Sequence, residues 1–222
     1  MKKVIILGTG GTAIDILDTL NDLNDRAKTK LYSCIGFLDD DKTKHGKEYY
    51  KVKVLGPLAQ ASTLNNVYFI NGIGNANNYW KKETIIDKTK IPVDKFLTII
   101  HPTASVSKMA KLGNGVVILQ QVTIAANAKV GNHVVILPNS IISHDVVIED
   151  YSCIAGGVSI SGRVRVGKAC YLGTNAAIIS DISIGDYALI GMGSVVLKNV
   201  PQNSVMVGNP AKLLKKVTIE EV

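Results

Sequence analysis

The chain has 222 residues, 46% of them hydrophobic, which is material for two modest cores and too apolar for disorder. Its net charge of +7 comes from scattered lysines such as Lys2, Lys28, Lys51 and Lys81, and only 5% of residues are aromatic, so a small phosphate-bearing partner is expected rather than nucleic acid. No run approaches the roughly 18 apolar residues of a membrane span, no secretory leader opens the sequence, and Cys34, Cys153 and Cys170 are an odd set without paired spacing, so a cytoplasmic setting is expected.

The first predicted element is the apolar strand Lys3–Leu7, which breaks at "GTGGT" (8–12). A helix follows, with Ala13, Ile14, Ile16, Leu17, Leu20 and Leu23 on one face. A second strand, Leu31–Leu38, runs into Asp39, Asp40 and Asp41. After a helix-compatible stretch behind Gly56-Pro57 come a buried strand, Val67–Gly72, a polar helix from about Tyr79 to Lys88, and a strand Phe96–Ile100. This alternation predicts a Rossmann-like α/β domain over residues 1–99, with a small parallel sheet and helices on its faces. Gly8, Gly10 and Ala13 match the G-x-G-x-x-G/A pattern between a strand and a helix, a tight turn that aims backbone N–H groups at phosphate. Asp39 ends the next strand, where it meets a ribose or base edge. A plain structural turn is the alternative. Fewer than 100 residues supply about one mononucleotide half, so a mononucleotide diphosphate fits better than NAD.

From Ile100 to Val196 every sixth residue is aliphatic, and the residue four places after each is small or apolar, as at Ala110, Val122, Ser140, Val158, Cys170 and Ser194. Neither a helix nor an ordinary strand has period six. A chain that turns a corner every six residues does, and three flats close a triangular coil in which residues 18 apart stack. Residues 100–200 are therefore predicted to form a parallel β-helix built from hexapeptide repeats. The join at His101–Ala104 has no flexible linker. Residues 201–222 are read as a loop with a short helix, a basic C-terminal cap over the open end of the solenoid.

Within the coils, His144 lies near a corner, followed by Asp145, and Gly162 stands one full coil later. A histidine oriented by a carboxylate is a candidate general base, and a bare backbone N–H beside it is a candidate oxyanion donor. An exposed surface histidine is the alternative. His133, His144 and His101 are too dispersed to suggest a metal site, and none is expected. Gly208, Asn209, Pro210, Ala211 and Lys212 form a specific turn just after the last coil.

The combination of "GTGG", "GFLDD" (36–40), "IHPTA", an unbroken hexad array containing "SHD", and terminal "VGNPAK" resembles the bacterial nucleotide-linked amino-sugar N-acetyltransferases, a family that includes sialic acid O-acetyltransferases. The resemblance covers essentially the whole chain. It implies a left-handed β-helix, acetyl-CoA as cosubstrate, no metal, and a homotrimer with its active site between two β-helices. It implies His144 as base with Asp145 beside it, and Gly162 at the thioester carbonyl. It further implies Gly8, Thr9, Gly10, Gly11, Asp39 and Asp40 as the nucleotide-sugar pocket, and Gly162 with Gly208–Lys212 as the coenzyme A contacts. The expected reaction is N-acetylation of a nucleotide-activated amino sugar, such as a 4-amino-4,6-dideoxy sugar, for a surface glycan. O-acetylation of a sialic or related acid and a non-catalytic β-helical scaffold are the competing expectations. Cys153, Leu137 and Thr12 depart from the family pattern at positions that imply acceptor recognition.

Overall fold

The structure is a computed structural model that describes residues 1–217. Lys2–Leu7 (β1) forms a strand whose Val4, Ile5, Ile6 and Leu7 are all fully buried, as in a sheet covered on both faces. It feeds α1 (Gly11–Ala27), which packs Ala13, Ile16, Leu17 and Leu20 against that sheet and ends at left-handed Lys28. β2 (Tyr32–Leu38), β3 (Glu48–Tyr49), β4 (Val52–Gly56) and β5 (Tyr68–Asn71) complete a sheet of order β3-β4-β2-β1-β5, parallel except for the β3–β4 pair. The chain lays β2 on one side of β1 and later β5 on the other. The carboxyl ends of β1 and β5 thus flank a topological switch point, where open α/β sheets bind their ligands.

The stretch after Gly56-Pro57 is a 3₁₀ segment, Leu58–Thr63, and the polar helix begins as a 3₁₀ turn, Tyr79–Lys81, before α2 (Lys82–Lys88). The expected last strand of this sheet, Phe96–Ile100, needs correction. Phe96 makes one isolated bridge to Phe69, while Ile99–Ile100 pairs with Val117–Ile118 and opens the solenoid instead. The backbone hydrogen bonds of this segment go to the first coil: Ile99 N–H donates to the Val116 carbonyl at 2.9 Å and His101 N–H to the Ile118 carbonyl at 2.8 Å.

Beyond it, two-residue strands repeat every six residues and stack in three parallel sheets, each strand pairing with the one 18 residues on. The predicted aliphatic row from Ile118 to Val196 lies inside, with the small row (Val122, Ala128, Val158, Cys170, Ala176) beside it. Truncating one such isoleucine to alanine costs about 2–5 kcal/mol. The residue just before each interior aliphatic points outward, and this row differs between the three flats. One flat carries Ile99, Val117, Val135, Cys153, Tyr171 and Leu189 and receives the α/β domain. The second carries Ser105, Thr123, Ile141, Ser159, Ala177 and Val195. The third carries Lys111, Lys129, Val147, Arg165 and Ser183.

Polar contacts tie the junction: His101 Nε2 lies 2.7 Å from Asp22 Oδ2, Lys168 Nζ donates to Glu83 Oε1 at 2.6 Å, and Tyr79 Oη donates to the Tyr187 carbonyl at 3.1 Å. The expected C-terminal helix is also corrected. Ser204–Val207 pairs in parallel with Leu189–Ile190, and Lys212–Lys216 folds back on it antiparallel. The last coil exposes an unpaired strand edge, and covering it outweighs the local helix propensity of "AKLLKK". The final five positions of the expected cap lie outside the described residues. No helix among the described residues is long and apolar enough to cross a membrane.

Candidate active site

From Gly115 to Gly193 the second residue of every corner turn has positive φ, an unbroken six-residue series that includes Asn127, Asn139, Asp145, Gly157, Asn175 and Asp181 as well as bulkier residues such as Gln121, Tyr151 and Arg163. Glycine, asparagine and aspartate reach that region at least cost. At Asp145 (φ 59°) the bend brings two sequence neighbours to the same side, so His144 Nδ1 lies 2.8 Å from Asp145 Oδ2. Both side chains are about half exposed. The His144 hydrogen bond, then one from Asn127 Nδ2 at 3.2 Å, holds the Asp145 carboxyl below its ordinary range, with Arg163 one coil on adding its charge. Arg163 is itself clamped by Asp181 through two hydrogen bonds of 2.6 and 2.8 Å. With Nδ1 engaged by the carboxylate, Nε2 is the ring atom left to take a proton.

Gly162 lies directly beneath the ring. A Cβ built there would stand 2.6 Å from His144 Cε1 and 2.7 Å from Nε2, so only glycine admits the imidazole in this pose. The backbone here differs from a neighbouring corner in one respect. There, the turn N–H of Asn114, Asn132 and Lys168 is answered by the side chain one coil on, from Asn132, Asp150 and Asp186 respectively. Along the His144 corner the corresponding residues are Gly162 and Ser180, and no such acceptor answers the Gly162 N–H among the described residues. A half-exposed imidazole thus stands over an amide donor that no acceptor among the described residues claims.

A second constellation sits at the switch point. Gly8, Thr9, Gly10, Gly11 and Thr12 from the β1–α1 turn, Asp39, Asp40 and Lys44 after β2, and Gly72, Gly74, Asn75 and Asn78 after β5 line a cavity of about 380 Å³. Gly8 takes φ 86°, and the α1 N-terminus is uncapped by any side chain, so its N–H groups face the cavity. Asp39 is more occupied than expected. Its Oδ2 accepts from Thr9 Oγ1 at 2.5 Å and Lys44 Nζ at 3.1 Å, and its Oδ1 from the Asp41 N–H at 2.9 Å. Burial works to raise its pKa, and these bonds outweigh that and hold it low. Asp39 therefore also braces the glycine-rich loop. Asp40 Oδ1 accepts from the Leu58 N–H at 2.9 Å.

The third predicted group, Gly208–Lys212, is anchored on the last coil: Val195 N–H donates to Gly208 O at 3.0 Å and Ala211 N–H to Val195 O at 2.8 Å. Asn209, Pro210 and Lys212 are exposed. Val195 and Ile141 share one flat, three coils apart, roughly 14 Å along the axis. The structure thus brings His144, Asp145 and Gly162 together, assembles the Gly8–Gly11 and Asp39–Asp40 group separately, and sets Gly208–Lys212 on the flat that leads to the His144 corner. Cys153 and Leu137 lie on the flat under the α/β domain, not at that corner. Among the described residues no group of three or more His, Cys, Asp or Glu is placed to hold a metal.

Sequence comparison matches residues 3–88 to the PglD N-terminal domain and residues 127–162 to the bacterial transferase hexapeptide repeats. The chain thus carries a PglD-type N-terminal domain and bacterial transferase hexapeptide repeats. A curated relative, UDP-N-acetylbacillosamine N-acetyltransferase of Bacillus subtilis, is 34% identical over 122 residues, a match that spans 54% of this chain and about half (52%) of that protein. A variant of perosamine N-acetyltransferase from Caulobacter crescentus, solved with CoA and GDP-perosamine, superposes with a TM-score of 0.83 at 24% identity, over 97% of this chain and 98% of its own. The acetyltransferase domain of PglB from Neisseria gonorrhoeae, solved with acetyl coenzyme A, gives 0.83 at 23% identity, over 96% and 99%. At these identities the two structures confirm the two-part fold, a Rossmann-like domain on a parallel β-helix.

The cavity also holds residues that sequence reading missed. Lys44 was legible only as one lysine among many, although it follows the acidic triplet by three places. Asn75 and Asn78 carried no signal, because only the β5 crossover brings them to the β1 loop.

Proposed function

We propose that this protein transfers the acetyl group of acetyl-CoA to the amine of a nucleotide-linked amino sugar, in the cytosol, for a surface glycan. The observation that carries the reading is the His144–Asp145 pair standing over the open Gly162 N–H in a chain that also has a glycine-rich switch-point cavity. The names of the relatives, which acetylate UDP- and GDP-linked amino sugars, agree with it.

In this reading residues 1–99 bind the nucleotide sugar and residues 100–200 carry the transfer, with 201–222 as the cap. The α1 N-terminus and the Gly8–Gly11 loop take the diphosphate, and Asp40 and Lys44 meet the nucleoside while Asp39 fixes the loop. His144 Nε2 removes the amine proton as nitrogen attacks the thioester carbonyl. The C–N bond forms, the C–S bond breaks, and the proton passes to the leaving thiolate. The Gly162 N–H holds the developing oxyanion, and Asp145 steadies the imidazolium. Gly208–Lys212 hold the coenzyme, its phosphates beside Lys212. No metal step is involved.

A half-exposed base lacks substrate walls, and a homotrimer supplies them. Support comes from the second flat, whose outward row combines the small Ser105, Thr123, Ser159 and Ala177 with an exposed Ile141, and which exposed Ile179 and Leu197 border. Three free thiols support the cytosolic setting. The test is acetyl transfer from acetyl-CoA to a panel of UDP-, GDP- and dTDP-linked amino sugars, followed by mass spectrometry. An N-acetylated nucleotide sugar is expected. Acetylation of none of them, or of free sialic acid alone, would overturn the reading.

A further inference from the structure

Outside both constellations the fold buries a lysine with nothing acidic to meet it. Lys82, the first residue of α2, is fully buried, and no salt bridge among the described residues includes it. Its hydrogen-bond partner is a thiol: Nζ lies 3.5 Å from Cys153 Sγ, which projects from the β-helix flat under the α/β domain and is 4% exposed. An ammonium desolvated without a carboxylate is costly, and burial pushes Lys82 toward the neutral amine, with Cys153 opposing. A neutral primary amine is a nucleophile, and this one stands within 3.5 Å of a sulfur it could attack once that sulfur is oxidised.

The other two cysteines are internal controls. Burial pushes Cys34 up to about 11 and Cys170 up to about 12, and both donate only to backbone carbonyls. The pair is also close to an opening. Gly74 lines the 380 Å³ cavity, and a Cβ on it would stand 2.9 Å from Cys153 Sγ and 3.3 Å from Lys82 Cδ. A molecule the size of hydrogen peroxide that enters the cavity is separated from the sulfur by one residue without a side chain.

We propose that Lys82 and Cys153 are a modification site at which hydrogen peroxide drives a covalent S–N cross-link between the α/β domain and the β-helix. In the first step the Cys153 sulfur attacks one peroxide oxygen, the O–O bond breaks, and the thiol becomes a sulfenic acid with release of water. The sulfur is oxidised by two electrons and the peroxide is reduced. In the second, the Lys82 amine attacks that sulfur, the S–N bond forms, the S–O bond breaks, and hydroxyl leaves with an amine proton as a second water. The product is a sulfenamide with two hydrogens fewer than the starting pair. Lysine's flexible four-carbon stem closes the remaining gap. Two equivalents of an external thiol reverse it, restoring amine and thiol and leaving a disulfide of the reductant. The site is independent of the acetyl-transfer reading.

The test is peroxide treatment of the full chain, then alkylation under denaturing conditions and tryptic mapping by mass spectrometry. The expected product is a peptide carrying Cys153 joined at Lys82, short of two hydrogens, with cleavage after Lys82 lost, Cys34 and Cys170 still alkylated, and full reversal by dithiothreitol. Lys82→Arg, which keeps a cation but not the nucleophilic amine, should leave Cys153 as sulfenic or sulfinic acid without the link. Cys153 oxidised beyond sulfenic acid with Lys82 free, Cys153 still alkylatable, or a disulfide among the three cysteines in the wild-type map would each overturn the proposal. The wild-type map decides even where the variant does not fold.

Discussion

At position 144 the decisive property is the direction of one ring. Neighbours in a strand point to opposite faces, so His144 and Asp145 meet only because Asp145 takes a left-handed conformation at the corner. The carboxylate engages Nδ1 and leaves Nε2 over Gly162. His144→Asn should lower kcat by about 10²- to 10⁴-fold, the usual worth of positioned proton transfer. Its melting temperature should hardly move, because the side chain is half exposed and outside the core. Steady-state kinetics and thermal melts of the purified variant check both. Turnover near the parent value would show that His144 is a surface residue.

The element that matters is the coil, since each corner is built on the one before and after it. Residues 18 apart share an environment, and the Asn127, Asp145, Arg163, Asp181 column is a polar ladder that only this stacking creates. The glycine below His144 is part of the same register. A methyl at 162 would fall within van der Waals overlap of the ring, and the ring, at the end of a side chain, would give way rather than the backbone. Gly162→Ala should therefore fold and melt like the parent while its kcat falls by at least about tenfold, since a displaced base and donor lose their alignment. Rates unchanged beside an unchanged melt would mean that the His144 pose over Gly162 is not the working one.

Across the whole molecule, the junction between the α/β domain and the solenoid carries unusual electrostatics. His133 is buried at its edge, stacked on Tyr151 at 5.2 Å and edge-on to Phe96 at 4.5 Å, and its Nδ1 has no hydrogen-bond partner among the described residues. Burial, then the nearby Lys82, push it down to about 4, with Asp150 opposing. Its folded pKa is below the unfolded value near 6.5, so between those limits the unfolded chain binds the extra proton. Stability should fall as pH drops from about 6.5 toward about 4, with a slope of at most ~1.4 kcal/mol per pH unit from this group. His133→Asn, which tolerates the left-handed corner, should flatten that slope in thermal melts taken across the window. A slope equal to the parent's would assign the acid sensitivity elsewhere.

The sequence by itself determined the solenoid, because a period of six has one structural meaning and each interior position is set by its own residue type. It also determined the β1–α1 glycine-rich turn and the acidic turn after β2, both of which are local in the chain. It named His144, Asp145 and Gly162 as neighbours, since 18-residue stacking follows from the same period. It misassigned Phe96–Ile100 and the C-terminal strands Ser204–Val207 and Lys212–Lys216, whose conformation depends on which unpaired edge lies within reach. The outward row under the α/β domain, Ile99 to Leu189, was readable in principle, as one flat in three that stays apolar. Lys44 in the cavity, Asp39 as a loop brace and Lys82 against Cys153 were not. Each depends on side chains from separate elements converging, up to 71 residues apart, and only tertiary packing fixes such distances.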